Sequence, residues 1–172
     1  MMFLRPLRAH YPLLIALLLG ILAAGPFVIA GMHQGFVGPL PELANDQNFY
    51  LSRIQDVRDG YPMSGNTYLA EDKSATPMQF LTAENIEARI LGFFSLPTWT
   101  SLILFAFLLP PLIFFLAYEI LCLLKTPRPW ATTIASLLCW GIYFAALIRP
   151  VSPQFNFIFW LLAVLALFSN RW

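Results

Sequence analysis

Residues 12–30 read PLLIALLLGILAAGPFVIA and contain no charged side chain, and the charge-free stretch around them extends from Tyr11 to Pro41. A membrane-crossing helix needs roughly 20 consecutive apolar residues, so this segment is a first transmembrane helix, residues 11–30. Arg5 and Arg8 ahead of it, with Ala23-Ala24-Gly25 inside it, also fit a signal peptide with a basic start and a small-residue cleavage site. The run continues past Gly25 through Phe27, Val28, Ile29 and Ala30, longer than a typical signal core, which favours a retained anchor.

The rest of the chain carries the same signature. Of its 172 residues only 11% are charged and 59% are hydrophobic, whereas soluble domains hold about 25% charged residues. An ordinary water-soluble globule is thereby excluded. The net charge of +1 leaves no basis for a nucleic-acid binder. A second uncharged stretch gives a span over 99–124, opened by Trp99 and carrying Pro110-Pro111, a pair that should kink or break it. Neighbouring helices would then have to shelter the freed carbonyls. A third span covers 130–148. A fourth, 154–169, is short and either crosses or re-enters.

Charge placement sets the topology. Arg5, Arg8, Lys125, Arg128 and Arg171 flank the spans, and all five fall on one side if there are four spans. Short basic flanks face the cytoplasm, so both termini lie inside, in the cell or plasma membrane, and the loop 31–97 lies outside. Eight of the nine acids sit between Glu42 and Glu87, in that loop. Cys122 and Cys139 lie in spans, so neither a disulfide nor a metal-ligand spacing is expected. His10 and His33 are isolated interface residues. Glu119, near the inner end of the second span, is placed to reach headgroups.

The loop is patterned. Over 45–59, Tyr50, Leu51, Ile54 and Val57 share a helical face, Asn45 or Asp46 can cap the start, and Gly60 stands at the end. A second amphipathic helix over 83–95 is capped by Thr82, with Glu84 and Glu87 in its first turns and Ile86, Ile90, Leu91, Phe93 and Phe94 as its apolar face. The first is expected to lie on the outer membrane surface with its apolar stripe down, and the second to lie along the membrane as well or to feed the second span. The fold class is therefore an all-α polytopic membrane protein with about four transmembrane helices and two membrane-parallel amphipathic helices in a long outer loop.

The string from Asp46-Gln-Asn-Phe-Tyr50 through Arg53, Asp56, Gly60-Tyr-Pro62 and Gly65-Asn66 to Glu71-Asp-Lys73, together with Arg149-Pro-Val-Ser-Pro-Gln-Phe, resembles the N-terminal part of GT-C class membrane glycosyltransferases. These are the polyprenyl-phosphate-sugar-dependent, protein mannosyltransferase-like enzymes. The resemblance implies sugar transfer from a lipid-phosphate donor to an acceptor on the outer face. Such chemistry needs a carboxylate to take the acceptor's proton and positive charge near the departing phosphate. Asp46 is the candidate base, against a plain helix cap. Lys73 is the candidate phosphate ligand, with Glu71, Arg53 and Arg149 as further substrate-binding residues. The competing readings are a solvated charge cluster around Lys73, a surface pair between Arg53 and Asp56, and interface snorkelling by Arg149.

No cofactor is implied by the residues, with a divalent metal as the open alternative. The acidic pair of some relatives reads Asp46-Gln47 here, which lacks the second metal-binding carboxylate. Partners are the lipid bilayer, the lipid-linked donor and, because four spans are fewer than the class uses, a C-terminal remainder of a longer protein. The alternative is a non-catalytic four-span protein that binds lipid or serves as an accessory subunit. A transporter-like module ranks last, since the second span offers only Thr100, Ser101 and Glu119 as polar groups.

Overall fold

The computed structural model describes residues 4–34, 44–63, 65–66, 69, 73–74, 82–146 and 152–169. Six helices account for most of them, with no strand among the described residues: α1 (Leu4–Gln34), α2 (Ala44–Arg58), α3 (Thr82–Phe93), α4 (Thr100–Leu123), α5 (Arg128–Ala146) and α6 (Ser152–Ser169). The all-helical expectation holds. The helices form two groups. In the first, α1, α5 and α6 all pack around α4; in the second, α2 and α3 pack on each other, and α3 touches α4 and α6. The first group is called the bundle below, the second the cap.

The sequence of α1 explains why it lies so close to α4. Small residues recur along one face, so Ala16, Gly20, Ala23 and Ala24 are buried with Phe27, while Leu13, Leu14, Leu17, Leu18, Ile21 and Leu22 point outward, each about half exposed. Small side chains at such a spacing let helix backbones approach closely. Gly20 is the closest point: a Cβ there would lie 2.5 Å from the Phe107 carbonyl oxygen and 3.0 Å from Pro111 Cγ. That carbonyl is special, because Pro111, four residues on, has no N–H to give it. The expected shelter of a freed carbonyl is thus present at Phe107, and α1 supplies it. Pro110-Pro111 do not break the helix, which runs on from Thr100 to Leu123.

Below that point the interior is densely apolar. Ile113 and Phe114 are almost wholly buried, as are Ala131, Ala135 and Cys139 of α5, with Ile158 and Leu161 of α6 completing the contact. The thiol of Cys139 donates to the Pro110 carbonyl at 3.2 Å, a second contact at the proline pair. Both cysteines are free.

Three helix ends close in the same way. In α2, Gly60 has φ +97°, its N–H meets Val57 O and that of Tyr61 meets Asp56 O. In α3, Ser95 at φ 53° and Leu96 make the equivalent bonds to Gly92 and Leu91; in α4, Lys125 at φ 62° and Thr126 make them to Cys122 and Leu121. These are Schellman closures, for which glycine is the usual left-handed residue. Only α2 uses one, the Gly60 that its sequence places there. After the third closure Pro127 and Pro129 flank the first residue of α5, where a missing N–H costs no helical bond.

Among the described residues, two helices are long and apolar enough to cross a membrane: α1 over Tyr11–Ile29 and α4 over Thr100–Leu123; Phe157–Ala166 of α6 is a shorter apolar helix. The exposed surface agrees with a membrane association, since Leu137 is 66% and Trp160 59% exposed on the outside of the bundle.

The expectation that α2 turns its apolar stripe to lipid needs correction. Ile54 is buried against Ala88 and Leu91 of α3, and Leu51, Val57, Leu96 and Leu104 pack around them. Most of the stripe faces another helix of the chain. On α3 the apolar residues divide: Leu91 is inside, whereas Phe93 and Phe94 are exposed.

Candidate functional site

The cap is where the chain gathers its ionisable side chains, and burial there is unusual. Arg53 and Asp56 of α2 and Glu84 and Glu87 of α3 are all at most 5% exposed. Charged residues are almost never fully buried unless paired, so each demands a partner. Arg53 Nη1 lies 3.4 Å from Glu84 Oε1, between two side chains that are both nearly inaccessible. Its guanidinium also lies over the Phe49 ring, 5.2 Å from the centroid. Asp56 is met by Lys73 Nζ at 2.7 Å, and the same ammonium lies 5.5 Å from the Tyr61 ring centroid. Glu87 accepts a short hydrogen bond from the Ser101 hydroxyl, in the first turn of α4.

The electrostatics reflect this burial. Glu87 is pushed up to about 8, chiefly because the dry interior penalises its charged form, with the neighbouring Glu84 adding in the same direction and the Ser101 hydrogen bond opposing it. At neutral pH it is therefore mostly a neutral acid. The Glu84 carboxyl is also raised by burial, opposed by its backbone hydrogen bond and by Arg53. Its Oε2 is buried and lacks a hydrogen-bond partner among the described residues. Lys73 is raised, mainly by the hydrogen bond to Asp56.

Around this core, an outer set of bonds ties the cap to the entry of α4. Arg58 Nη1 donates to the Leu96 carbonyl at 2.8 Å and to the Thr98 hydroxyl at 3.0 Å; the Thr98 hydroxyl in turn donates to Gln55 Oε1. Gln55 Nε2 reaches Asp59 at 2.8 Å, and Asn85 Nδ2 reaches the Pro62 carbonyl at 3.0 Å. The chain segment leading into α4 is thus fixed from α2.

The candidate residues of the sequence fare unequally. Asp46 is the third residue of α2, but its side chain lies outside the described residues, as do Glu71 and Arg149 altogether. Arg53 and Lys73 are placed in the cap, each on a carboxylate of another segment. Arg53 and Asp56 are not a solvated surface pair: both are buried, and α3 and the segment at Lys73 reach them. Glu119 is exposed near the end of α4, consistent with its expected access to headgroups. No group of three or more His, Cys, Asp or Glu side chains able to hold a metal occurs among the described residues.

Sequence reasoning misses Glu84, Glu87 and Ser101 as site residues. A signal was available: Ala83, Glu84, Glu87, Ala88 and Leu91 recur at helical spacing on one face, and that is the buried face of α3. Chemically, the cluster can hold a proton on Glu87 and an ion pair beside it in one small dry volume. A phosphate seeking Arg53 would meet a nearly inaccessible ion pair, and one seeking Lys73 would share its ammonium with Asp56. Comparison of the chain with protein families, with characterised proteins and with solved structures finds no match.

Proposed function

We propose that this chain is a multi-pass membrane protein in which α1, α4, α5 and α6 cross the bilayer, both termini face the cytoplasm, and α2 and α3 cap the outer face. Its role is that of a non-catalytic, lipid-contacting accessory subunit. One observation carries the reading: both cap cations proposed for substrate, Arg53 and Lys73, are committed to Glu84 and Asp56 within the chain. A catalytic floor would leave them available to a ligand; a structural cap would not. The apolar outer surface of the bundle supports the membrane part of the reading.

Sugar transfer from a polyprenyl-phosphate donor is the second reading. It is favoured by Lys73, whose side chain is 25% exposed and so lies within reach of a competing phosphate. In that reading Asp46, in the first turn of α2, takes the acceptor's proton.

Topology and function are tested on the same set of variants. In a Cys122→Ala background, Ser74→Cys should react with a membrane-impermeant maleimide added outside intact cells, and Lys125→Cys only after permeabilisation. Labelling of Lys125→Cys from outside overturns the topology. Turnover of a polyprenyl-phosphate sugar that disappears in Lys73→Met and Asp46→Asn, with labelling unchanged, overturns the accessory role in favour of transfer.

A further inference from the structure

We infer that Phe93 and Phe94 form an anchor that dips into the outer leaflet of a phospholipid bilayer, with Arg89 above them in the headgroup layer. The inference rests on the membrane reading of the bundle and goes beyond it, by assigning the bilayer as partner to one patch of the cap.

Four observations support it. Phe93 is 83% and Phe94 62% exposed, while their neighbours Leu91 and Ala88 are buried against α2. The two rings meet edge to face with centroids 5.0 Å apart, a compact apolar wedge. Second, the wedge is held in place. Ser95 in its left-handed conformation closes α3, Leu96 N–H returns to Leu91 O at 2.9 Å, and Arg58 clamps the Leu96 carbonyl at 2.8 Å. The phenylalanines are therefore presented by a fixed turn.

Third, the entry of α4 sets the level. The apolar run of α4 begins at Thr100, and the residue before it, Trp99, is 37% exposed. An indole at the end of a span marks the boundary between hydrocarbon and headgroups. Phe94 lies a few residues earlier in the chain, which keeps the wedge close to that boundary. Fourth, Arg89 is exposed and lies one helical turn before Phe93 on the same helix, a spacing that lets apolar groups enter lipid while a guanidinium stays with phosphate. A second protein is the less suitable occupant. Two phenylalanines and an arginine offer far less than the roughly 800 Å² per partner of a stable interface.

The test uses the full chain with Cys122→Ala in phosphatidylglycerol-phosphatidylcholine vesicles, Cys139 remaining buried. Nitroxide labels are placed singly at Phe93→Cys, Phe94→Cys, Ser74→Cys and Leu17→Cys, and their collision rates with oxygen and with a water-soluble nickel chelate are measured. Labels at 93 and 94 should favour oxygen several-fold over the label at 74, at a depth of about 5–10 Å below the headgroup boundary. Labels at 93 and 94 that collide with nickel as freely as that at 74, while 17 reports hydrocarbon, overturn the anchor and leave the membrane reading standing. Labels at 93 and 94 shielded from both reagents also overturn it, because protein then covers the patch. If 17 itself collides freely with nickel, the membrane reading fails and the anchor with it.

Discussion

In the bundle, Ile113, Phe114 and Leu109 are among the large side chains taken almost fully inside, and the outward faces are leucine and tryptophan; in the cap, Arg53, Asp56, Glu84 and Glu87 are buried nearly as deeply. The bundle is apolar inside and out but for a few buried hydroxyls such as Ser101 and Thr132, and its close fit comes from absence of side chain, at Gly20 and the alanines of α1. The cap draws its fit from charge brought out of water and paired. The contrast teaches that one chain selects helix neighbours in two ways: in the bundle mainly by shape, where small side chains let backbones approach, and in the cap by directed polar contacts.

The strongest way to break the contrast is to remove one member of the buried pair. Arg53→Ala leaves Glu84 uncompensated in a dry site and should destabilise the cap by about 3–5 kcal/mol. Hydrogen exchange across α2 and α3 would accelerate, with α4 and α5 unaffected. The double variant Arg53→Met with Glu84→Leu removes both charges and should recover most of the loss.

Acidity is a second lever on the cap alone. Glu87 keeps its proton to about pH 8 in the folded cap, whereas its ordinary value is 4.5. Between these values the folded state binds more protons than the unfolded one, so stability is full below the ordinary value and falls as pH rises. The slope is about 1.4 kcal/mol per pH unit for one proton, levelling off above pH 8. Opening free energies of α3 from hydrogen exchange at pH 5.5 and 7.5 should show the fall, and Glu87→Gln should flatten it.

The bundle has its own probe. Gly20→Ala drives a methyl group into the Phe107 carbonyl, and overpacking of this kind costs about 1–3 kcal/mol. Thermal unfolding in detergent micelles should register the loss while exchange in the cap stays as in the parent. The smallest effect is a gain: Ser95 holds φ 53° without being glycine. Ser95→Gly relieves that strain and should stabilise the closure of α3 by about 0.5–1 kcal/mol. A rise in melting temperature would check it.

Long elements are legible in the sequence because their cause is local. The apolar runs that give α1, α4, α5 and α6 need no knowledge of their neighbours, and the limits 99–124 and 154–169 come within two residues of α4 and α6. Gly60 is legible too, since a left-handed closure selects its residue locally. What escapes is mutual. The stripe Leu51, Ile54 and Val57 marks a covered face of α2, but periodicity does not say whether lipid or another helix covers it. Glu84 and Glu87 fit a helix start by dipole alone, and although their spacing with Ala83, Ala88 and Leu91 marks one face of α3, the cover of that face depends on α2 and on Ser101 of α4, which the helix's own sequence does not carry. Ala16, Gly20 and Ala24 pass as part of an apolar run, because the meaning of their spacing lies in a carbonyl on α4.

That carbonyl has a consequence for descent. As long as position 111 is proline, Phe107 O has no partner within its own helix and position 20 has no room for a side chain. An N–H restored at 111 would refill that bond from inside α4, yet the Phe107 oxygen would still stand 2.5 Å from a Cβ at position 20. The coupling therefore runs one way: position 111 can change in descendants without position 20, whereas a side chain at position 20 requires α1 and α4 to move apart.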